Sequence, residues 1–106
     1  NGTFQRKEIC ALFIDIKDST KKVSELDPVR LEEILSLYMK DVVEIMLNND
    51  MTIDKFLGDG VFGFTNSPIS QEDYVERALK VALDIQGHFR QNQNLYEEIW
   101  RGPFEY

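Results

Sequence analysis

The sequence predicts an α+β domain of ferredoxin-like type with the element order β-α-α-β-β-α. Two observations carry that prediction. Ile9–Ile14 and the two apolar runs on either side of Gly58-Asp59-Gly60 read as short strands. Two longer stretches place their apolar residues three and four positions apart, which is the spacing of a helix with one buried face. The order is most of a β-α-β-β-α-β plan with its last strand absent. Residues 1–106 read as one domain, or part of one, with two long helices covering one face of a three-stranded sheet.

The elements follow in order. Ile9 to Ile14 is a continuous apolar run of six residues, so the strand is expected to be buried on both faces and central. Lys17-Asp18-Ser19-Thr20 has N-cap character and opens a short helix that ends before Asp27-Pro28. Pro28 can start the next helix at its first turn. Leu31, Ile34, Leu35, Tyr38, Val42, Ile45 and Met46 give that helix its apolar face, and Asn48-Asn49-Asp50 stops it. Met51–Leu57 and Val61–Phe64 form a hairpin around Gly58-Asp59-Gly60, because glycine and aspartate tolerate positive φ. Thr65–Pro68 is a loop. The last helix runs from about Ser70 to Gln91, with Tyr74, Ala78, Val81, Ala82, Ile85 and Phe89 on one face and Glu72 and Asp73 in its first turn. Beyond Gln91 the pattern dissolves into a polar segment, and Trp100, Phe104 and Tyr106 have no periodicity to house them.

Composition narrows the function. Twelve Lys and Arg stand against 19 Asp and Glu, a net charge of −7. No basic stripe exists to displace the counterions of a nucleic acid, so none is expected as a partner. No apolar run approaches the roughly 20 residues that span a bilayer, and no signal peptide is visible. The expectation is no membrane contact from this chain and a cytoplasmic location, alone or as the soluble domain of a larger, membrane-attached protein. The one cysteine, Cys10, reads as a buried thiol in a reducing compartment. The chain starts Asn1-Gly2-Thr3 rather than with Met, as expected of a piece cut from something longer. His88 reads as a surface residue, and Met39, Met46 and Met51 as core filler.

Chemistry concentrates on two aspartates. Asp15 and Asp59 each end an apolar strand, and if those strands are neighbours both carboxylates reach one end of the sheet. Taken singly, each is an ordinary turn or strand-end residue. Together they could hold Mg²⁺, a hard ion that takes one or two carboxylates plus substrate phosphates. The amides of Ile16–Thr20 follow at once and would suit phosphate oxygens.

Phe13-Ile14-Asp15-Ile16-Lys17-Asp18-Ser19-Thr20 resembles the F-x-D-I-x-x-[FS]-T segment of class III nucleotidyl cyclases. Asp54-Lys55-Phe56-Leu57-Gly58-Asp59-Gly60 resembles their K-x-x-G-D hairpin, with Gly60 where alanine is common. The stretch Tyr74–Leu83 is similar to the alanine-rich helix that follows it. The resemblance covers roughly residues 8 to 90 and implies a cyclase core truncated before its last strands.

It further implies that Asp15, Asp59 and the carbonyl of Ile16 hold two Mg²⁺ or Mn²⁺ ions, with Asp15 and Asp59 as the catalytic carboxylates. Ile16, Lys17, Asp18, Ser19 and Thr20 would form the phosphate loop, with Gly58 also against the substrate. Lys55 would read adenine, since lysine only donates and adenine N1 accepts, whereas guanine requires an acceptor. Two domains would pair head to tail, the aspartates of one acting with the lysine of the other. The implied activity is an adenylate cyclase converting ATP to cyclic AMP and pyrophosphate for intracellular signalling. Family domains run well beyond 106 residues, and their second half carries a further base-reading residue, an asparagine and an arginine. This chain alone is therefore expected to be inactive. The alternative is a catalytically inactive cyclase-like regulatory or dimerisation module. A palm-type polymerase or diguanylate cyclase fits less well, for want of G-G-[DE]-E-F.

Overall fold

The computed structural model describes residues 6–106. Its elements are β1 (Cys10–Ile14), α1 (Ser19–Glu25), α2 (Pro28–Asn48), β2 (Thr52–Leu57), β3 (Gly60–Thr65), α3 (Tyr74–Gln91) and α4 (Gln93–Trp100). The sheet order is β1-β3-β2, antiparallel throughout. The predicted α+β, ferredoxin-like plan is therefore present, with one helix more than the sequence signalled.

Local chemistry starts α2 where proline and aspartate meet. The Asp27 carboxylate accepts from the amide of Arg30 at 2.9 Å, and Pro28 occupies the first turn. One row of α2, Ile34, Tyr38, Val42 and Met46, has no exposed surface. The matching row of α3 is Ala78, Val81, Ile85 and Phe89. Burying each large member of these rows contributes about 1.5–3 kcal/mol. The row of α2 meets β2 and β3, that of α3 meets β1 and β3, and both helices lie on one face of the sheet. Cys10, Leu12 and Ile14 of β1 turn inward with Val61 and Thr65 of β3. Met46 and Met51 are core residues and Met39 packs at the margin, as expected. Gly63 is required by packing, since a Cβ there would lie 2.9 Å from the Met51 sulfur and 3.1 Å from the Thr52 carbonyl oxygen.

Four expectations need correction. The strand expected to be central, β1, lies at an edge, and β3 is the middle strand. Its burial alternates, leaving Ile9 44% and Phe13 47% exposed on or beside the outer face. A continuous apolar run reports apolar surface on both faces, not what covers them. Second, α3 begins at Tyr74 rather than Ser70. Asn66 and Gln71 exchange two bonds, each side-chain oxygen accepting from the other residue's amide at 2.8 and 2.7 Å. That closes residues 66–71 into a loop and leaves Glu72 and Asp73 ahead of the helix.

Third, the segment after Gln91 is a helix. Tyr96, Ile99 and Trp100 lie three and four positions apart and are buried, with α4 packed on α2. Trp100 and Phe104 enter the core at 2% and 7% exposure and meet edge to face at 5.4 Å. Only Tyr106 stays exposed, with its ring 5.0 Å from that of Phe89. Fourth, Cys10 is half-buried rather than sealed, though it packs against the core.

Candidate active site at the Asp15–Asp59 end of the sheet

The strand register brings the two aspartates together. Ile14 pairs with Val61 and Leu57 with Gly60, so Asp15 and the β2–β3 turn lie at the same end of the sheet. Glycine suits the turn at two positions, by backbone conformation at Gly58 and by close approach of a ring at Gly60. Gly58 has φ +62°, and a Cβ on Gly60 would lie 2.6 Å from the Phe13 ring. Asp15 is exposed and Asp59 half-buried.

Beneath the turn the polar bookkeeping is open. Among the described residues, two buried side-chain oxygens have no hydrogen-bond partner: Oδ2 of Asp59 and the hydroxyl of Tyr38. Burial first, then the charges of Asp15 and Asp59, push the Tyr38 phenol far above its ordinary range. The phenol therefore stays protonated beside the carboxylates. An unpartnered carboxylate oxygen inside a protein is costly unless something absent from the chain completes it.

The segment after Asp15 turns tightly. Ile16 is buried at 3%, Lys17 and Asp18 form a turn, and Asp18 takes a left-handed conformation at φ 61° ahead of α1. Ser19 is half-buried, and the side chain of Thr20 lies outside the described part. The Lys17 amide already donates to the Glu105 carbonyl at 2.8 Å, and its ammonium lies 3.2 Å from the Glu105 carboxylate. One of the amides assigned to phosphate is thus engaged by the segment following α4. Lys22 donates to the Arg101 carbonyl at 3.3 Å and sits 5.6 Å from the centre of the Trp100 ring. A cavity of about 250 Å³ opens among Lys17, Lys21, Lys22, Trp100 and Glu105.

Lys55 faces the other way. A bulge leaves Asp54 out of the pairing and sets Lys55 opposite Phe62 on the outer face. Its ammonium is 5.9 Å from the Phe62 ring centre and 3.4 Å from the Asp54 carboxylate, with the side chain 57% exposed. Within one chain, Lys55 does not converge with the buried side of the aspartate site.

The donor set fits a hard cation. Two carboxylates and the Ile16 carbonyl would offer oxygen donors, and Mg²⁺ takes its remaining positions from water or phosphate. Among the described residues no group of three or more His, Cys, Asp or Glu converges, so an all-protein cage of the zinc kind is not present there.

No protein-family model matches the chain. Adenylate cyclase 1 of Rhizobium meliloti (strain 1021) is 33% identical over 81 residues, which are 76% of this chain and 12% of that protein. The crystal structure of the adenylyl cyclase CyaB from P. aeruginosa superposes with a TM-score of 0.79 at 27% identity, over 92% of this chain and 51% of that one. The guanylyl cyclase Cya2 gives 0.82 at 26%, over 92% and 49%. The chain belongs with the class III nucleotidyl cyclase catalytic domains. It spans about half the length of the solved cyclase chains that it matches and 12% of the curated relative.

Two features of this cyclase domain escaped the sequence reading. His88 is not a plain surface residue. Its Nε2 lies 2.8 Å from Asp41 Oδ2, the same oxygen that accepts from the Tyr96 hydroxyl, so one carboxylate joins α2, α3 and α4. The signal was absent because Asp41 and His88 are 47 residues apart in sequence. Tyr38 had been assigned only to the apolar face of α2. Its hydroxyl stands out only once the fold buries it without a partner. A larger cavity, about 530 Å³, lies at the opposite end of the sheet among Leu47, Thr52, Ser67 and Arg77, away from the cyclase motifs.

Proposed function

We propose that this chain is the metal- and triphosphate-binding part of an adenylate cyclase domain, acting on ATP to form cyclic AMP and pyrophosphate. The observation that carries the proposal is the meeting of Asp15 and Asp59 at one sheet end, over a buried carboxylate oxygen with no partner. Asp15, Asp59 and the Ile16 carbonyl would hold two Mg²⁺ or Mn²⁺ ions. When bound, such ions neutralise the triphosphate and make the ribose 3′-hydroxyl more acidic.

The chain's own residues position the rest. The turn Ile16–Thr20 and Gly58 border the triphosphate, with the side chains of Lys17 and Lys21 adding positive charge nearby. For Lys17 to serve, its contact with Glu105 has to exchange for phosphate. Lys55 reads the base, donating to adenine N1. Since Lys55 stands on the outer sheet face, it serves a second domain paired head to tail. The apolar surface of Phe13, Leu57, Phe62 and Phe64 supports that pairing. Similarity extends to guanylyl as well as adenylyl cyclases, and Lys55 is what favours ATP here. The reading places the domain in the cytoplasm. Among the described residues no helix is long and apolar enough to cross a membrane.

The test is cyclic AMP formation from ATP with Mn²⁺, in a chain extended to the length of its relatives, beside Asp59→Ala. Turnover lost in the variant supports the proposal. Turnover preserved removes Asp59 from the site.

A further inference from the structure

Tyr38 carries one of the two buried oxygens without a partner, and Asp59, proposed above as a metal ligand, carries the other. The residue is wholly buried on α2, wedged between the Phe89 and Phe104 rings at 5.5 and 6.0 Å. Packing of that kind fixes the ring, so the hydroxyl has few positions open to it. A phenol at this position in a core needs a reason, because phenylalanine would fill the same space without a polar atom to satisfy. Most buried polar side-chain atoms in folded proteins are paired. Here the two described exceptions are a donor and an acceptor of complementary kind, Tyr38 hydroxyl and Asp59 Oδ2.

We infer that Tyr38 is a positioning residue for the aspartate site: its hydroxyl, through one bridging water, supplies the hydrogen bond that Asp59 Oδ2 lacks, leaving Oδ1 for the cation. The link is assigned to water because neither oxygen has a hydrogen-bond partner within the chain. The charges of Asp15 and Asp59 reach the hydroxyl, and a phenol is a hydrogen-bond donor of the kind a carboxylate oxygen accepts. Partners of this second layer set the orientation of metal-binding carboxylates, and losing one typically weakens metal affinity about 10–100-fold. The inference rests on the metal-binding reading of Asp15 and Asp59 proposed above.

The experiment measures Mn²⁺ affinity of this chain by loss of the free-ion electron paramagnetic resonance signal. The chains compared are the unaltered protein, Tyr38→Phe and Asp59→Asn, with a metal-free melting curve for each. Tyr38→Phe keeps the ring and its packing. The expected result is affinity weakened about tenfold or more, with the metal-free melting temperature unchanged or raised. A purely structural tyrosine would give unchanged affinity, and that result overturns the inference while leaving the aspartate site intact. Unaltered protein that binds no Mn²⁺, or binds it equally after Asp59→Asn, overturns the metal-binding reading and the inference with it.

Discussion

The two ends of the sheet are both built on loop aspartates, with asparagines beside them at one end and glycines at the other, and differ in whether their hydrogen bonds close. At the far end, where β2 begins and β3 finishes, nearly every polar group finds a partner within the chain. Thr52 donates to the Ser67 carbonyl at 2.6 Å, Gln71 donates to the Asp50 carbonyl at 3.1 Å, and Arg77 bridges Asp50 and Asp73 at 3.0 and 3.2 Å. At the near end, Asp59 and Tyr38 are left open. The far end has the larger cavity and the near end the unfinished chemistry. Volume alone would point to the far end. Closed polar networks hold loops, whereas an open one calls for a partner from outside the chain, a water or an ion among them.

That contrast can be broken or sharpened by experiment. The largest effect is expected from Asp59→Asn, which removes a charge while keeping shape. Binding of Mn²⁺, followed by calorimetry, should be lost, and the metal-free melting temperature should not fall. A marked loss of stability would mean that Asp59 is structural and that the two ends do not differ as argued. At the far end, Gln71→Ala should do the reverse. It strips a partner from the Asn66 amide and should cost about 1–3 kcal/mol in denaturant unfolding while leaving Mn²⁺ affinity unchanged.

A pH series separates the buried phenols from the surface. Tyr38 and Tyr96 are both shifted upward, chiefly by burial, and for Tyr96 also by its bond to Asp41. A raised folded-state value means that their contribution is complete below the unfolded tyrosine value of about 10 and is lost as pH rises beyond it. Melting temperature should therefore fall steeply above about pH 10, together with the ultraviolet signature of tyrosinate. Phenols that titrate near 10 without unfolding would show the site and core to be open to water. The smallest effect is expected for Lys17→Ala. The Lys17–Glu105 pair is more than half exposed on both sides, so its loss should change stability by only about 0–1 kcal/mol. A weakened affinity for ATP in the same variant would place Lys17 at the phosphates.

Much of this was legible in the chain because it depends on local patterns. The four-residue spacing of Ile34, Tyr38, Val42 and Met46 gave α2, and Asp27-Pro28 its start. The two glycines around Asp59 gave the hairpin. What stayed hidden depends on contacts distant in sequence. Helix α4 was missed because its three buried residues make one short row amid Gln, Asn and Glu, too brief for periodicity to stand out. The edge position of β1 was hidden because an apolar run looks the same whether or not both faces are covered. Of the proposed site residues, the motifs gave Asp15, Asp59 and Lys55 their candidacy. The opposite facing of Lys55 follows from the Asp54 bulge, and the open hydroxyl of Tyr38 from tertiary packing.

The bond from the Lys17 amide to the Glu105 carbonyl has a mechanical consequence. It ties the turn after β1 to the segment leaving α4, and Lys22 ties the same segment again at Arg101. Moving the turn away from residues 101–106 therefore means breaking these bonds, and so does moving those residues away from the turn.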